Sequence, residues 1–344
     1  MPAFSEQVEA KTAAGLEGSW YVVAKSIEVG KGRVTPVKAL NKKLVLWRGE
    51  DGKVRCTEDL CPHRGAPLSL GVVIGNHLSC HYHGVTVDGE GKIVSVPALP
   101  KCALEGRRPT KSYAVEELAD GIFVYFPSAA HPDPLPFTPP PALADPKVAK
   151  FLCTYTWDAN WRYLLDNLLD PMHGTYLHSD TFTLSGGSGD DLMRIVPIDD
   201  GFRIERQGQQ DQNFDFANAH LDSSIPHVEL SVPYPPVAGP GGPLELLPMA
   251  TPIDEKSSMI FFWRMRKTTG LASDVWQFMW RAKFESHAWY VIEQDREMLE
   301  GMSLNARDNE MLYQHDIGIG RMRQWLSKKA EEIIEAETKL VEVA

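Results

Sequence analysis

The stretch 61–83 carries two half-motifs that each join a thiol to an imidazole. They read Cys61-Pro62-His63-Arg64-Gly65 and Cys80-His81-Tyr82-His83-Gly84. Two thiolates suit one iron, and two imidazoles suit a second iron beside it. Such a set fits a [2Fe-2S] cluster in which two His replace two Cys, which raises the reduction potential above that of an all-Cys cluster. Zn²⁺ accepts the same ligands, but zinc fingers usually pair Cys with Cys and His with His. Here each half supplies one of each. A Cys61–Cys80 disulfide would leave both imidazoles without a task. The C-x-x-H spacing selects His83, so His81 is read as a neighbour of the cluster.

A second dense stretch runs Asp166-Asn167-Leu168-Leu169-Asp170-Pro171-Met172-His173-Gly174-Thr175-Tyr176-Leu177-His178. Asp170 and His173 are three apart, so a helix would place them on one face. His178 lies five beyond His173 and requires a bend. Two His from one segment plus one distant carboxylate make the facial triad of non-haem Fe(II) oxygenases. Taken alone, the same residues also fit a helix with two satisfied histidines and a capping Asp.

These groups need rigid elements behind them. Strand-like stretches at 20–24, 33–37, 43–47 and 54–57 are separated by turn signals, and Asp51-Gly52 favours a two-residue hairpin loop. Short strands at 85–87, 93–96, 112–115 and 122–125 complete an all-β domain, 1–130, whose loops carry the Cys and His pairs. A proline-rich run, 131–146, reads as a stiff linker. The rest, 147–344, shows helical spacing at 161–169, 284–302 and 317–337, with strands at 202–206, 227–232, 244–250 and 259–265. Loops are expected at 185–189 and 232–243. Trp263, Phe261, Phe262, Trp276, Phe278 and Trp280 offer apolar surface for either a substrate pocket or an ordinary core.

The 344 residues suggest about two domains, and the formal net charge of −11 argues against a nucleic-acid surface. Five cysteines, two of them in the cluster motif, imply no disulfide framework and fit a reducing cytoplasm. Cys56 and Cys153 read as core residues. The N-terminus lacks the features of a signal peptide, and no run of about 18 apolar residues suggests a membrane span.

The paired loops, with Gly65 and Gly84, resemble the Rieske motif. Together with the D-x-x-H-x-x-x-x-H pattern at Asp170, His173 and His178, nearly the whole chain resembles the terminal oxygenase (alpha) subunit of the Rieske non-haem iron oxygenases. Its size and the segment Asp316-Ile-Gly-Ile-Gly-Arg-Met-Arg, followed by Trp325-Leu326, look like the homotrimeric branch with vanillate and dicamba O-demethylases and aromatic carboxylate oxygenases. The resemblance implies an α+β chain: an N-terminal all-β Rieske domain and a catalytic domain with an antiparallel sheet flanked by helices. It implies that Cys61, His63, Cys80 and His83 hold the [2Fe-2S] cluster and that His173 and His178 bind mononuclear Fe(II). The third ligand would be an Asp far downstream on a helix. Glu293-Gln294-Asp295-Arg296-Glu297 supplies Asp295, with Glu293 as the alternative. By the same resemblance Asp170 bridges a cluster His of one subunit to an iron-bound His of the next, Asp166 supports the site and Asn167 lines the iron pocket.

The activity so implied is that of a homotrimeric terminal oxygenase, cytoplasmic and active in aromatic compound degradation. It would take electrons from a separate ferredoxin and/or NAD(P)H-dependent reductase, because the chain has no Rossmann-type glycine fingerprint. With O₂ it would hydroxylate or O-demethylate a small aromatic substrate. Ring cis-dihydroxylation and desaturation use the same irons and stay open. A Rieske electron carrier is the reading from another class, but a carrier has no need of the roughly 200 residues after the linker. A binding protein that has lost its iron would not need His173, His178 and a matching Asp.

Overall fold

A computed structural model describes residues 3–181, 184, 190–207, 216–233, 241–303 and 305–343. The loop expected at 185–189, and 234–240 of the loop expected at 232–243, lie outside them. The chain divides into two compact units, Glu17–Phe137 and Met1–Leu16 with Thr138–Ala344.

The first unit is all β. Strands β1 (Ser19–Lys25), β2 (Val34–Ala39), β3 (Lys42–Arg48), β4 (Val54–Glu58), β5 (Val72–Ile74), β6 (His77–Ser79), β7 (Thr86–Val87), β8 (Ile93–Ser95), β9 (Ser112–Tyr113), β10 (Val115–Leu118) and β11 (Gly121–Phe126) form three antiparallel sheets. Their orders are β1-β11-β10, β2-β3-β4-β9 and β5-β6-β7-β8. β11, Gly-Ile-Phe-Val-Tyr-Phe, is buried along its whole length between β1 and β10. A continuous apolar run suits a strand covered on both faces. The β3–β4 connection spans 49–53 and is longer than the two-residue loop expected at Asp51-Gly52. The Asp51 carboxylate explains the wider turn, because it accepts hydrogen bonds from Lys53 N–H and the Arg55 guanidinium.

The proline-rich run is not a free spacer. Phe137 packs edge-on against Trp20 and Phe123, and Trp20 Nε1–H donates to the Leu135 carbonyl at 2.9 Å. The run therefore belongs to the first unit up to Phe137.

The second unit includes α1 (Phe4–Ala14), which the sequence reading placed at the head of the β domain. Glu9 of α1 pairs at 2.7 Å with Arg162, which is 7% exposed, and Trp161 Nε1–H donates to the Thr12 carbonyl. A guanidinium that deep needs an acceptor, and α1 supplies it. After α2 (Pro141–Ala144) come β12 (Val148–Trp157), α3 (Trp161–Leu168) and α4 (His173–Leu177). Strands β13 (Met193–Ile198), β14 (Gly201–Arg206), β15 (Phe216–His220), β16 (His227–Val232), β17 (Leu244–Pro252) and β18 (Ser258–Lys267) follow. Helices α5 (Leu271–Met279), α6 (Glu285–Glu300) and α7 (Ile317–Val343) close the unit, with a π-helical turn, Trp280–Phe284, between α5 and α6.

The seven strands form one antiparallel sheet in the order β12-β18-β17-β16-β15-β14-β13. The sequence reading missed β12, β13 and β15. Among the described residues the main core lies on one face of the sheet, where Phe202, Ile204, Val228, Leu230 and Ile260 meet Leu164 and Leu168 of α3, Ile292 and Leu299 of α6, and Met322 and Leu326 of α7. The architecture is α+β.

Candidate functional site

The two Cys/His loops are local copies of each other. Cys61 N–H donates to Ala66 O and Gly65 N–H to Cys61 O; Cys80 N–H donates to Val85 O and Gly84 N–H to Cys80 O. All four distances are 2.8–2.9 Å. Each loop thus closes over four residues on a glycine with positive φ, 73° at Gly65 and 72° at Gly84. A left-handed residue there suits glycine because it has no Cβ. The sulfurs of Cys61 and Cys80 are buried with Val45, Trp47, Leu68, Leu78 and Val87. The rings of His63 and His83 are at the surface, edge to face at 4.7 Å between centroids. All five cysteines are free thiols, so no Cys61–Cys80 disulfide competes. Burial, with the Cys80 sulfur beside it, pushes the Cys61 thiol up to about 11. Loading a metal there must release protons.

The second group lies where α3 ends. Pro171 biases Asp170 away from helical backbone, so α3 stops at Leu168 and α4 starts afresh at His173. Asp170 is therefore not on a shared helical face with His173, as the spacing suggested. Instead its Oδ1 caps α4, accepting from Met172 N–H at 2.8 Å and His173 N–H at 3.2 Å. His178 is the C-cap residue of α4, which supplies the required bend.

His173, His178 and Asp295 come together with all three ligand atoms within 4.8 Å of one another. Asp295 Oδ1 is 3.3 Å from His178 Nε2 and 3.7 Å from His173 Nε2. Asn167 Nδ2–H donates to the same Oδ1 at 3.1 Å. Glu293, the alternative ligand, turns to Arg296 and is 45% exposed. Both rings are fixed from behind. His173 Nδ1 contacts the Asp170 main-chain carbonyl, and His178 Nδ1 lies 2.9 Å from Gln294 Oε1. A carbonyl oxygen only accepts, so each Nδ1 carries the hydrogen and each Nε2 offers its lone pair. Two such nitrogens and a carboxylate, converging from three directions, suit divalent iron. Burial opposes charging His178, but Asp295 and Gln294 outweigh it and raise its pKa.

The sequence reading did not single out Gln294. Its signal is its place beside Asp295 on α6. Asp166 acts at a distance from the donors: both of its oxygens bind Arg323 of α7, at 3.2 and 2.7 Å, with Arg307 at 3.7 Å. A cavity of about 640 Å³ opens beside His173, with Asn167, Leu177, Met298, Met302 and Arg307 in its wall. Of the aromatic residues expected as pocket or core, Trp263, Phe261, Phe262, Trp276 and Trp280 are buried and Phe278 is exposed.

Over residues 19–114 the chain matches the Rieske [2Fe-2S] domain family, and over 157–332 the vanillate O-demethylase oxygenase C-terminal domain family. It is 36% identical over 168 residues to the vanillate O-demethylase oxygenase subunit of a Pseudomonas species, covering 48% of this chain and 46% of that protein. It is 33% identical over 210 residues to the oxygenase component of dicamba O-demethylase from Stenotrophomonas maltophilia, covering 54% of each. The chain thus spans about half the length of these curated relatives. In structure it is similar to the terminal oxygenase of carbazole 1,9a-dioxygenase from a Novosphingobium species, with a TM-score of 0.75 at 22% identity over 94% of both chains. That likeness establishes the fold.

Proposed function

The chain belongs to the vanillate O-demethylase oxygenase C-terminal domain family and carries a Rieske [2Fe-2S] domain ahead of it; on that premise we propose that it is a terminal oxygenase that hydroxylates or O-demethylates a small aromatic compound. The observation that carries the proposal is the convergence of His173 Nε2, His178 Nε2 and Asp295 Oδ1 in a chain that also holds the paired Cys/His loops. When bound, the cluster supplies one-electron transfer and the iron supplies O₂ activation.

The protein's own residues do the rest. Cys61 and Cys80 would hold the cluster from the buried side, and His63 and His83 from the surface, where an electron donor could reach it. His173, His178 and Asp295 would hold the iron. Asn167 steadies the Asp295 carboxylate, and Gln294 and the Asp170 carbonyl keep the imidazole hydrogens on Nδ1. The cavity beside His173 has the volume of a small-molecule site, with His173 and Asn167 in its wall.

Three further parts belong to this reading. Electrons come from a separate ferredoxin and/or NAD(P)H-dependent reductase. The working assembly is a homotrimer, a head-to-tail ring in which Asp170 bridges to a cluster His of the next subunit. The free thiols fit a cytoplasmic protein. As for domains, the β domain serves the cluster and the rest serves the iron.

The test starts from protein reconstituted with iron and sulfide. It should hold about three Fe and two sulfides per chain. With a reductase, NAD(P)H and a panel of methoxylated aromatics, it should release formaldehyde in step with O₂ uptake. Two Fe per chain would make it an electron carrier, and a cis-diol without formaldehyde would make it a ring dioxygenase.

A further inference from the structure

A second cluster of ligand-type side chains stands on the other face of the large sheet. Side chains alternate along a strand. Ala217 and Ala219 of β15 and Val228 and Leu230 of β16 lie in the core beneath the helices, so His220, His227 and Glu229 project from the opposite face. The pairing of β15 with β16 sets His220 directly across from His227. The ligand-type atoms of these three residues all lie within 4.8 Å of one another. None of the three belongs to the iron triad.

The hydrogen bonds behind the two rings decide how they face each other. His220 Nδ1 is 2.8 Å from Asp200 Oδ1, and His227 Nδ1 is 2.7 Å from the Ile225 carbonyl. A carboxylate and a carbonyl only accept, so each Nδ1 carries a hydrogen. Each Nε2 then faces Glu229. His220 Nε2 is 3.5 Å from Oε2, and His227 Nε2 is 3.5 Å from Oε1. His220 Nε2 is shielded from water and makes no hydrogen bond. With both rings neutral, two lone pairs confront a carboxylate and three acceptors meet without a donor. With both rings protonated, two cations stack at 4.8 Å, tilted by only 16°. Protonation of His220 alone lets its Nε2–H donate to Glu229, whose carboxylate holds the His220 pKa up. A single divalent cation at the meeting point instead engages both Nε2 atoms and the carboxylate at once.

The spacing is close to that of a zinc site, and the two rings, 16° from parallel, must turn toward each other for both Nε2 lone pairs to reach one ion. Zinc bonds of about 2.0–2.1 Å in a tetrahedron hold ligand atoms about 3.3–3.4 Å apart. The observed gaps to Glu229 are 3.5 Å. Metal-bound imidazoles characteristically donate their other N–H to a carboxylate or a backbone carbonyl. Asp200 and Ile225 supply one of each, and the Asp200 main chain is itself anchored by Leu221 N–H and Asp222 N–H. Two nitrogens in the set disfavour Ca²⁺ and Mg²⁺, which take oxygen ligands.

We propose that His220, His227 and Glu229 bind one divalent ion of the zinc class through two Nε2 atoms and a carboxylate, with a position left open. Asp200 is a positioning residue that sets the His220 tautomer. The ion clasps the β15–β16 hairpin to the β13–β14 turn, on the face of the sheet away from the iron triad.

The test uses the full chain loaded with its cluster and mononuclear iron. It is incubated anaerobically with Zn²⁺ and desalted, and Zn, Fe and sulfide are counted per chain. One Zn should remain while iron and sulfide hold. Glu229→Gln and His227→Ala should each weaken Zn²⁺ binding at least tenfold, and Asp200→Asn roughly 10- to 100-fold. Zn²⁺ should raise the melting temperature of the wild type and not that of Glu229→Gln. Glu229 is 29% exposed, so its isosteric variant keeps the fold and decides the matter even if His227→Ala does not fold. The proposal is overturned if the wild type retains no Zn, if Glu229→Gln retains it with equal affinity, or if each Zn bound displaces one Fe.

Discussion

Gln294 shows how much of the proposed iron site would depend on atoms that never touch the ion. Its Oε1 is the group that holds the His178 hydrogen on Nδ1. Replacing Gln294 with Leu keeps the bulk and removes the acceptor. Fe(II) affinity, read by titration of the apo site, should fall roughly 10- to 100-fold, and Gln294→Glu should restore it. Equal affinity in Gln294→Leu would remove the residue from the site. Asp170 tests a different property. One of its carboxylate oxygens caps α4, and its main-chain carbonyl meets the His173 ring. Asp170→Asn can keep both contacts but loses the charge and half of the accepting capacity. In a single turnover with substrate and O₂, a pre-reduced cluster in Asp170→Asn should stay reduced while iron content is unchanged. Oxidation at the wild-type rate would refute the bridge. Slow oxidation with iron loss would reassign Asp170 to support of the metal site.

At the scale of elements, the triad depends on how α7 meets the segment between α3 and α4. Gly318, in the first turn of α7, lies so close to that segment that a Cβ would stand 2.9 Å from the Leu169 carbonyl and 2.8 Å from Ile204 Cδ1. The Leu169 carbonyl belongs to backbone that leads directly into Asp170. Gly318→Ala should cost about 1–3 kcal/mol, read as a lower melting temperature, because the added methyl forces α7 outward. Iron affinity should fall with it, since the carbonyl of Asp170 positions His173. Unchanged stability would mean that the contact relaxes freely. The glycines seen in Asp316-Ile-Gly-Ile-Gly marked a family likeness in the sequence. For Gly318 the packing reason lies at Leu169, between α3 and α4 and some 150 residues away, which no local pattern could reveal, whereas Gly320 has open space around it.

At the scale of the whole molecule, the proposed head-to-tail ring would make the active unit a cluster of one subunit and an iron of the next. Two dead variants then make a direct test. His63→Ala should lose the cluster, and His173→Ala should lose the mononuclear iron while keeping the Rieske spectrum. Each alone should turn over at background. Rings assembled from both should recover part of the wild-type rate, because some cluster-bearing subunits then abut iron-bearing ones. Mixed rings of confirmed composition that stay inactive would place electron transfer within a single chain. The chain alone has a mass of 38.4 kDa, so light scattering should find three times that value.

The sequence by itself determined the class of fold and singled out the candidate ligands. Cys61, His63, Cys80 and His83 are legible because their loops are short, and a metal site built on two tight turns needs its ligands at set spacings. His173 and His178 are legible for the same local reason. Strands and helices with strong periodicity, such as 43–47 and 317–337, are legible because burial on one or both faces is written in the order of apolar residues. Tertiary structure decided the rest. It set Asp295 rather than Glu293 beside the histidines, because only the turn of α6 determines which carboxylate faces inward and which pairs with Arg296. It drew α1 to Arg162 across some 150 residues. It also brought His220, His227 and Glu229 into one cluster with Asp200 behind it, since strand register, and not spacing along the chain, decides which side chains meet across a sheet.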